Sequence, residues 1–380
     1  MVDRAVPKVA LGLRRQRAVA RPMAGRHRSR RKHWAMSAAP AVTAPVSERR
    51  TDRRRRLLKT VPAMLGLTFA AVITVPFVLP ILVLVDLARG RIQLPLLRMH
   101  LFLLQYMLND SAEILLSPAL WMVAGFGARL DRPASMRRHQ RLQRWSVAVL
   151  ARRANQLLGV RVEVVDGADA LEPGPAIVLC RHVSLADASL PSLLYQVERG
   201  YQIRGVIMAE LLADPGFDLL YGRLGSVFVQ REGSDEARRA VSRIAVDLGR
   251  DTVVVIFPEG RLFRPELRDR FLGRLAEQSP ERRQRLGELR HVLPPRPGGV
   301  LALLEAAPAA DVVVIGHTGF ECIPSFAAMR RLVPIERTIR VFAWRIPRAE
   351  IPAEPLAQIA WLDDQWRRLD DRVDRELAEV

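Results

Sequence analysis

Cysteine is nearly absent. Cys180 and Cys322 are the only two in 380 residues, too few for a disulfide framework and without metal-site spacing. They suit a reducing compartment. No internal repeat is visible, and no Ser or Cys nucleophile motif, which disfavours a covalent enzyme intermediate. Acidic side chains are scarce at the start: residues 1–56 hold 17 Lys+Arg against 3 Asp+Glu, +14 of the chain's +19. The strong basicity therefore belongs to one arm. That arm shows no sustained hydrophobic period and reads as disordered. Its composition fits nucleic acid, anionic lipid or a start codon placed too early. No nucleic-acid-reading module accompanies it, so no nucleic-acid partner is expected. Each Lys or Arg near an anionic leaflet contributes about 1 kcal/mol.

Charge is then missing altogether from Val61 to Val85, 25 residues. As a helix this run is ~37 Å long, more than the ~30 Å hydrocarbon core of a bilayer. A signal peptide has a shorter apolar region without so long a segment before it. Pro76 and Pro80 predict a kink, which a re-entrant segment also uses. A second apolar region, Leu94–Gly127, is interrupted by Arg98, His100, Asp110 and Glu113. Arg49–Arg56 precede the pair and Arg129, Arg132, Arg137, Arg138, Arg141 and Arg144 follow it. The positive-inside rule puts both flanks in the cytoplasm, hence two crossings or a hairpin dipping into one leaflet. The expected organisation is a basic arm at 1–56, a membrane-anchoring helical hairpin at 57–128 and a cytosol-facing catalytic domain at 129–380. The expected location is the cytoplasmic or inner membrane.

Beyond the hairpin, strand and helix patterns alternate. Val160–Val165, Ala176–Cys180, Gln202–Met208, Ser226–Val229, Thr252–Phe257, Asp311–Ile315 and Thr338–Trp344 read as strands. Gln143–Leu157, Ala188–Val197, Asp235–Leu248, Arg264–Leu289, Val300–Ala306 and Ala360–Leu377 read as helices. The pattern predicts an α/β fold: a mostly buried central sheet flanked by helices, behind a transmembrane or re-entrant hairpin.

The candidate chemistry starts at AIVLCRHVSLAD, residues 176–187. A buried strand ends at His182, and Asp187 follows five positions later. Open α/β sheets build sites at the carboxyl ends of their strands. A carboxylate one turn away can hold the imidazole in one tautomer. The H-x4-D spacing alone is common by chance, but two blocks follow it. Gly225–Arg231 is a glycine turn, a short strand and a cation, and a guanidinium suits bidentate phosphate binding. Phe257-Pro-Glu-Gly260 ends a buried strand in a turn carrying Glu259, with Gly260 allowing close backbone approach.

In this order the three blocks resemble the glycerolipid acyltransferase superfamily, which includes enzymes that acylate 1-acylglycerol 3-phosphate. His291–Gly299 (HVLPPRPGG) and the end, Ile346–Pro352 with Trp361–Trp366, resemble the lysocardiolipin and lysophosphatidylinositol acyltransferase-like branch. The resemblance covers roughly Ile114 to Leu377. It implies transfer of an acyl group from acyl-CoA or acyl carrier protein to a lysophospholipid hydroxyl, without metal or other cofactor. It assigns His182 as general base and Asp187 as its orienting partner. Arg231 is assigned to the acceptor phosphate, Glu259 and Gly260 to the shape of the acceptor site, and Arg261 and Arg296 to secondary phosphate contacts. The sequence departs from the family in three places. Arg181 stands where the family usually has Asn. Leu262 stands where it has the Arg of F-P-E-G-T-R, with Arg261 or Arg264 as substitutes. Ala209 replaces a frequent lysine. Ser184 is expected to stabilise the local turn.

Overall fold

The computed structural model describes residues 50–230, 235–323 and 326–379. The expected arm at 1–49 lies outside them. Residues 50–56 belong instead to the first helix, α1 (Arg50–Ala88), which runs on through Pro62, Pro76 and Pro80. Arg53 and Arg56 bind the buried carboxylate of Asp218, at 2.7 and 2.6 Å. Among the described residues α1 is the one helix long and apolar enough to cross a membrane. Leu67, Phe69, Ile73, Phe77, Ile81 and Leu84 on it are exposed.

The second apolar region forms one helix, α2 (Pro95–Val123), packed on α1 as a hairpin. Leu94 at its N-terminus offers no side-chain cap; Asp86 of α1 supplies one, accepting from the amides of Leu96 and Leu97 at 2.9 and 3.2 Å. A strictly apolar span would leave the polar residues of α2 unexplained. Asn109, Asp110, Ser111 and Glu113 are buried, each at most 7% exposed: Ser111 donates to Thr68 of α1, while the other three face the following domain. The Asn109 amide donates to Ser146 of α3 (Pro133–Arg153), and Tyr106 donates to Asp214. Met99 joins the domain's core. So α2 belongs to the hairpin and to the domain at once.

The domain is a seven-stranded sheet in the order β1-β7-β6-β2-β5-β3-β4. The strands are β1 (Arg161–Asp166), β2 (Ala176–Cys180), β3 (Gln202–Met208), β4 (Val227–Val229), β5 (Thr252–Ile256), β6 (Asp311–Thr318) and β7 (Thr338–Ile346). Neighbours pair in parallel except β6 and β7. β2 and β5 are buried at every position. A parallel sheet covered on both faces requires such continuous β-branched runs. β6 reaches Thr318 rather than stopping at Ile315, because Gly316–Thr318 pair with β7.

Side chains alternate between two cores. Ile177 and Leu179 face one, built with α4 (Asp235–Ala245), α7 (Pro297–Ala306) and α9 (Pro355–Ala378). Leu362, Trp366, Leu369 and Val373 repeat along α9 at helical spacing and are fully buried there. Ala176, Val178 and Cys180 face the other core, with Leu158, Leu194 and Tyr195. The stretch expected as one helix, Arg264–Leu289, is two: α5 (Pro265–Gln278) and α6 (Pro280–Leu286). Pro280 forces the break, since its ring cannot continue a helix yet suits the first position of a new one. Ala188–Val197 forms short 3₁₀ and π turns rather than an α-helix. A short helix, α8 (Phe326–Leu332), precedes β7.

Candidate active site

Three adjacent parallel strands, β5, β2 and β6, deliver their carboxyl ends to one edge of the sheet. β2 leads to His182. The carboxylate of Asp187 can only accept, so His182 Nδ1 carries the proton and donates to Asp187 Oδ1 at 2.6 Å. In the neutral ring this leaves the lone pair on Nε2, the form a base needs. Asp187 is 1% exposed, and its other oxygen accepts from the amides of Val183 and Ser184 at 2.6 and 2.8 Å. Ser184 Oγ donates to the Ile323 carbonyl at 2.7 Å, closing the turn. The His182 side chain is 18% exposed. Its ring leans on Phe257 with centroids 4.5 Å apart, and the Phe263 amide donates to its carbonyl at 2.8 Å. The arrangement is an imidazole with a fixed Nδ1 partner, sealed on one side and open on the other.

β5 leads to Phe257–Gly260. Glu259, expected to shape the acceptor site, has a fully buried carboxylate. One oxygen accepts from the His182 amide at 3.0 Å and the other from the Leu293 amide at 2.8 Å. Glu259 therefore holds the backbone of the base from behind. Burial pushes its pKa up to about 8, against the pull of the two amides. Gly260 sits at φ +64°, in the left-handed region, and a side chain there would meet Arg296 Cδ at 3.3 Å. The Arg296 amide donates to the Pro258 carbonyl at 2.8 Å, which brings Arg296 beside that turn. Burial and the neighbouring Arg261 charge both hold the Arg296 pKa below its ordinary value. Two cations thus flank Gly260. Arg231 lies outside the described residues; β4, the strand before it, pairs with β3 at the end of the sheet. Arg264 sits at the exposed start of α5.

β6 leads to a group the sequence analysis missed. His317 is fully buried, with Nε2 3.6 Å from Asp187 Oδ2. Its signal was the one that marked His182, a histidine at the end of a buried β-branched strand. Glu321 and the role of Arg181 were also missed. Both depend on contacts more than a hundred residues apart in sequence, which no local pattern carries. A polar cleft of ≈ 490 Å³ between α6 and α9 is lined by none of these residues.

Comparison with known proteins adds the following. Residues 161–318, from β1 to the end of β6, match the Acyltransferase family. No curated protein matches the chain. A similar solved structure is the 1-acyl-sn-glycerophosphate (LPA) acyltransferase PlsC from Thermotoga maritima, with 16% identity, a TM-score of 0.39, and coverage of 71% of this chain and 98% of that one. The stretch that carries the His182–Asp187 pair is therefore similar to the Acyltransferase family.

Proposed function

We propose that this chain is a membrane-associated O-acyltransferase. It moves a fatty acyl group from a thioester, acyl-CoA or acyl carrier protein, to the free hydroxyl of 1-acylglycerol 3-phosphate, giving phosphatidic acid. The observation that carries this reading is the 2.6 Å bond from His182 Nδ1 to Asp187 Oδ1, inside the stretch that matches the Acyltransferase family. His182 Nε2 takes the proton of the hydroxyl as its oxygen attacks the thioester carbonyl. The tetrahedral intermediate expels the thiolate, which takes the proton back from the imidazolium. General-base help of this kind contributes about 10²–10⁴-fold. Arg231 holds the acceptor phosphate, with Arg261 and Arg296 beside Gly260 as further contacts.

The acceptor's insolubility fits the exposed apolar face of α1. Its single acyl tail stays in the bilayer while its hydroxyl reaches the domain from the interface, with the domain on the cytosolic side and the basic arm on anionic lipid. The block His291–Gly299 favours a second acceptor class, lysophosphatidylinositol-like or lysocardiolipin-like lipids. The test is the purified protein in detergent with labelled acyl-CoA or acyl carrier protein and a panel of lyso-lipids. Phosphatidic acid formation that disappears in His182→Ala is the expected result. Turnover retained by that variant removes His182 as the base. No transfer to any acceptor leaves a non-catalytic membrane tether.

A further inference from the structure

Arg181 and His317 form a reciprocal brace directly before the base. The Arg181 guanidinium donates to the His317 carbonyl at 2.6 Å, and the His317 ring donates through Nε2 to the Arg181 carbonyl at 3.2 Å. The Arg181 amide also donates to the Ile315 carbonyl at 3.1 Å, carrying the β2–β6 ladder one residue past the end of β2. Three more N–H groups of the fork are taken. Nε and Nη2 both donate to the His291 carbonyl, at 3.2 and 2.9 Å, and Nη1 pairs with Glu321. Glu321 accepts in turn from the Gly319 amide at 2.6 Å. Burial pushes the Glu321 carboxyl up, but the charge and hydrogen bond of Arg181 outweigh it and hold it below the usual range.

Arg181 is itself fully buried. An unpaired charge there would be strongly destabilising. Glu321 and two carbonyls take four of the five guanidinium N–H groups, and full burial keeps the guanidinium away from a substrate phosphate. Burial holds the His317 pKa below its ordinary value, and Nε2, 3.2 Å from the Arg181 carbonyl, carries the proton it donates there.

From this geometry we infer that Arg181 and His317 are positioning residues for the His182–Asp187 pair. Each side chain fixes the other's backbone carbonyl, so the ends of β2 and β6 cannot slide. The peptide that carries His182 is held in line with Asp187, and the His317 ring packs 3.6 Å from the Asp187 oxygen that the Val183 and Ser184 amides hold. Neither residue touches substrate. The inference rests on the acyl-transfer reading for its kinetic readout only. A shift of about 1 Å at a reacting pair can lower the rate by about a hundredfold.

The test compares full-length wild type with His317→Leu, His317→Gln and Arg181→Lys in detergent. It measures kcat, both KM values, the melting temperature and the ¹⁵N-imidazole spectrum, with His182 assigned by its loss in His182→Ala. Leu removes the donor, Gln keeps a neutral one, and Lys keeps the charge but not the fork. The expected result is a kcat about a hundredfold lower in His317→Leu at unchanged KM, with His182 in mixed tautomers. Arg181→Lys behaves the same way, and His317→Gln restores both kcat and tautomer. Should His317→Leu fail to fold, Arg181→Lys carries the test. A wild-type tautomer and kcat in the folded variants overturn the inference, as does a His317→Gln no better than Leu. If wild type transfers no acyl group but the His182 tautomer responds as described, the brace stands and the proposed function falls.

Discussion

Glu259 shows how far a residue's role can sit from its motif. The Phe-Pro-Glu-Gly block marks the turn, yet the carboxylate points inward to two amides. That burial has a consequence for stability. The folded-state pKa, about 8, lies above the ordinary value of 4.5. Between those values the unfolded chain gives up its proton first, so the folded state binds more protons there and stability falls as pH rises. The contribution is complete below about pH 4.5 and lost through about pH 8. Melting temperatures taken from pH 5 to pH 8 should therefore drop more steeply for wild type than for Glu259→Gln, which has no proton to lose. Equal slopes would mean that Glu259 is ionised across the range. His182, Asp187 and the glycine turn at Gly260 were legible in the sequence because each rests on short-range spacing. Arg181 stood out only as a departure from the family pattern. Its partners, His291, His317 and Glu321, come together only when β2, β6 and the segment after α6 meet.

Among the elements, the strands were the most legible, since continuous β-branched runs leave few alternatives to a buried parallel sheet. The helices were less so. Pro280 splits a stretch whose charge pattern alone reads as one helix. Helix α2 was misleading for a different reason: its Asp110 and Glu113 interrupt an apolar run, and only the docked domain explains them. Helix α2 also lacks a cap of its own and takes Asp86 from α1. Replacing such a cap by Ala typically costs about 1 kcal/mol. Asp86→Ala should therefore lower the unfolding free energy by an amount of that order, read as a lower denaturation midpoint, and leave the site's kinetics unchanged. A midpoint equal to wild type would show that water replaces the cap without loss.

The molecule as a whole presents one apolar flank. Phe69 and Phe77 of α1 are 68% and 70% exposed, and a groove of ≈ 550 Å³ lies between the helices, lined by Leu79, Pro80, Val83, Leu84, Leu97 and Leu101. Isolated exposed apolar residues are ordinary, but a contiguous face of this kind marks an interaction surface. The double variant Phe69→Glu, Phe77→Glu should pellet less with liposomes containing anionic lipid while acylating a short-chain acceptor in detergent at the wild-type rate. Unchanged pelleting would assign membrane attachment to some other part of the chain.

Because α2 is shared between the hairpin and the catalytic layer, the hairpin cannot hinge away without exposing Asn109, Asp110 and Glu113. On the proposed reading the enzyme then works like a ruler of fixed length. However deep α1 settles in the lipid, His182 rides at one set altitude above it. Acceptors would be sorted first by the height at which they hold out a hydroxyl, and only then by the charge of their head group.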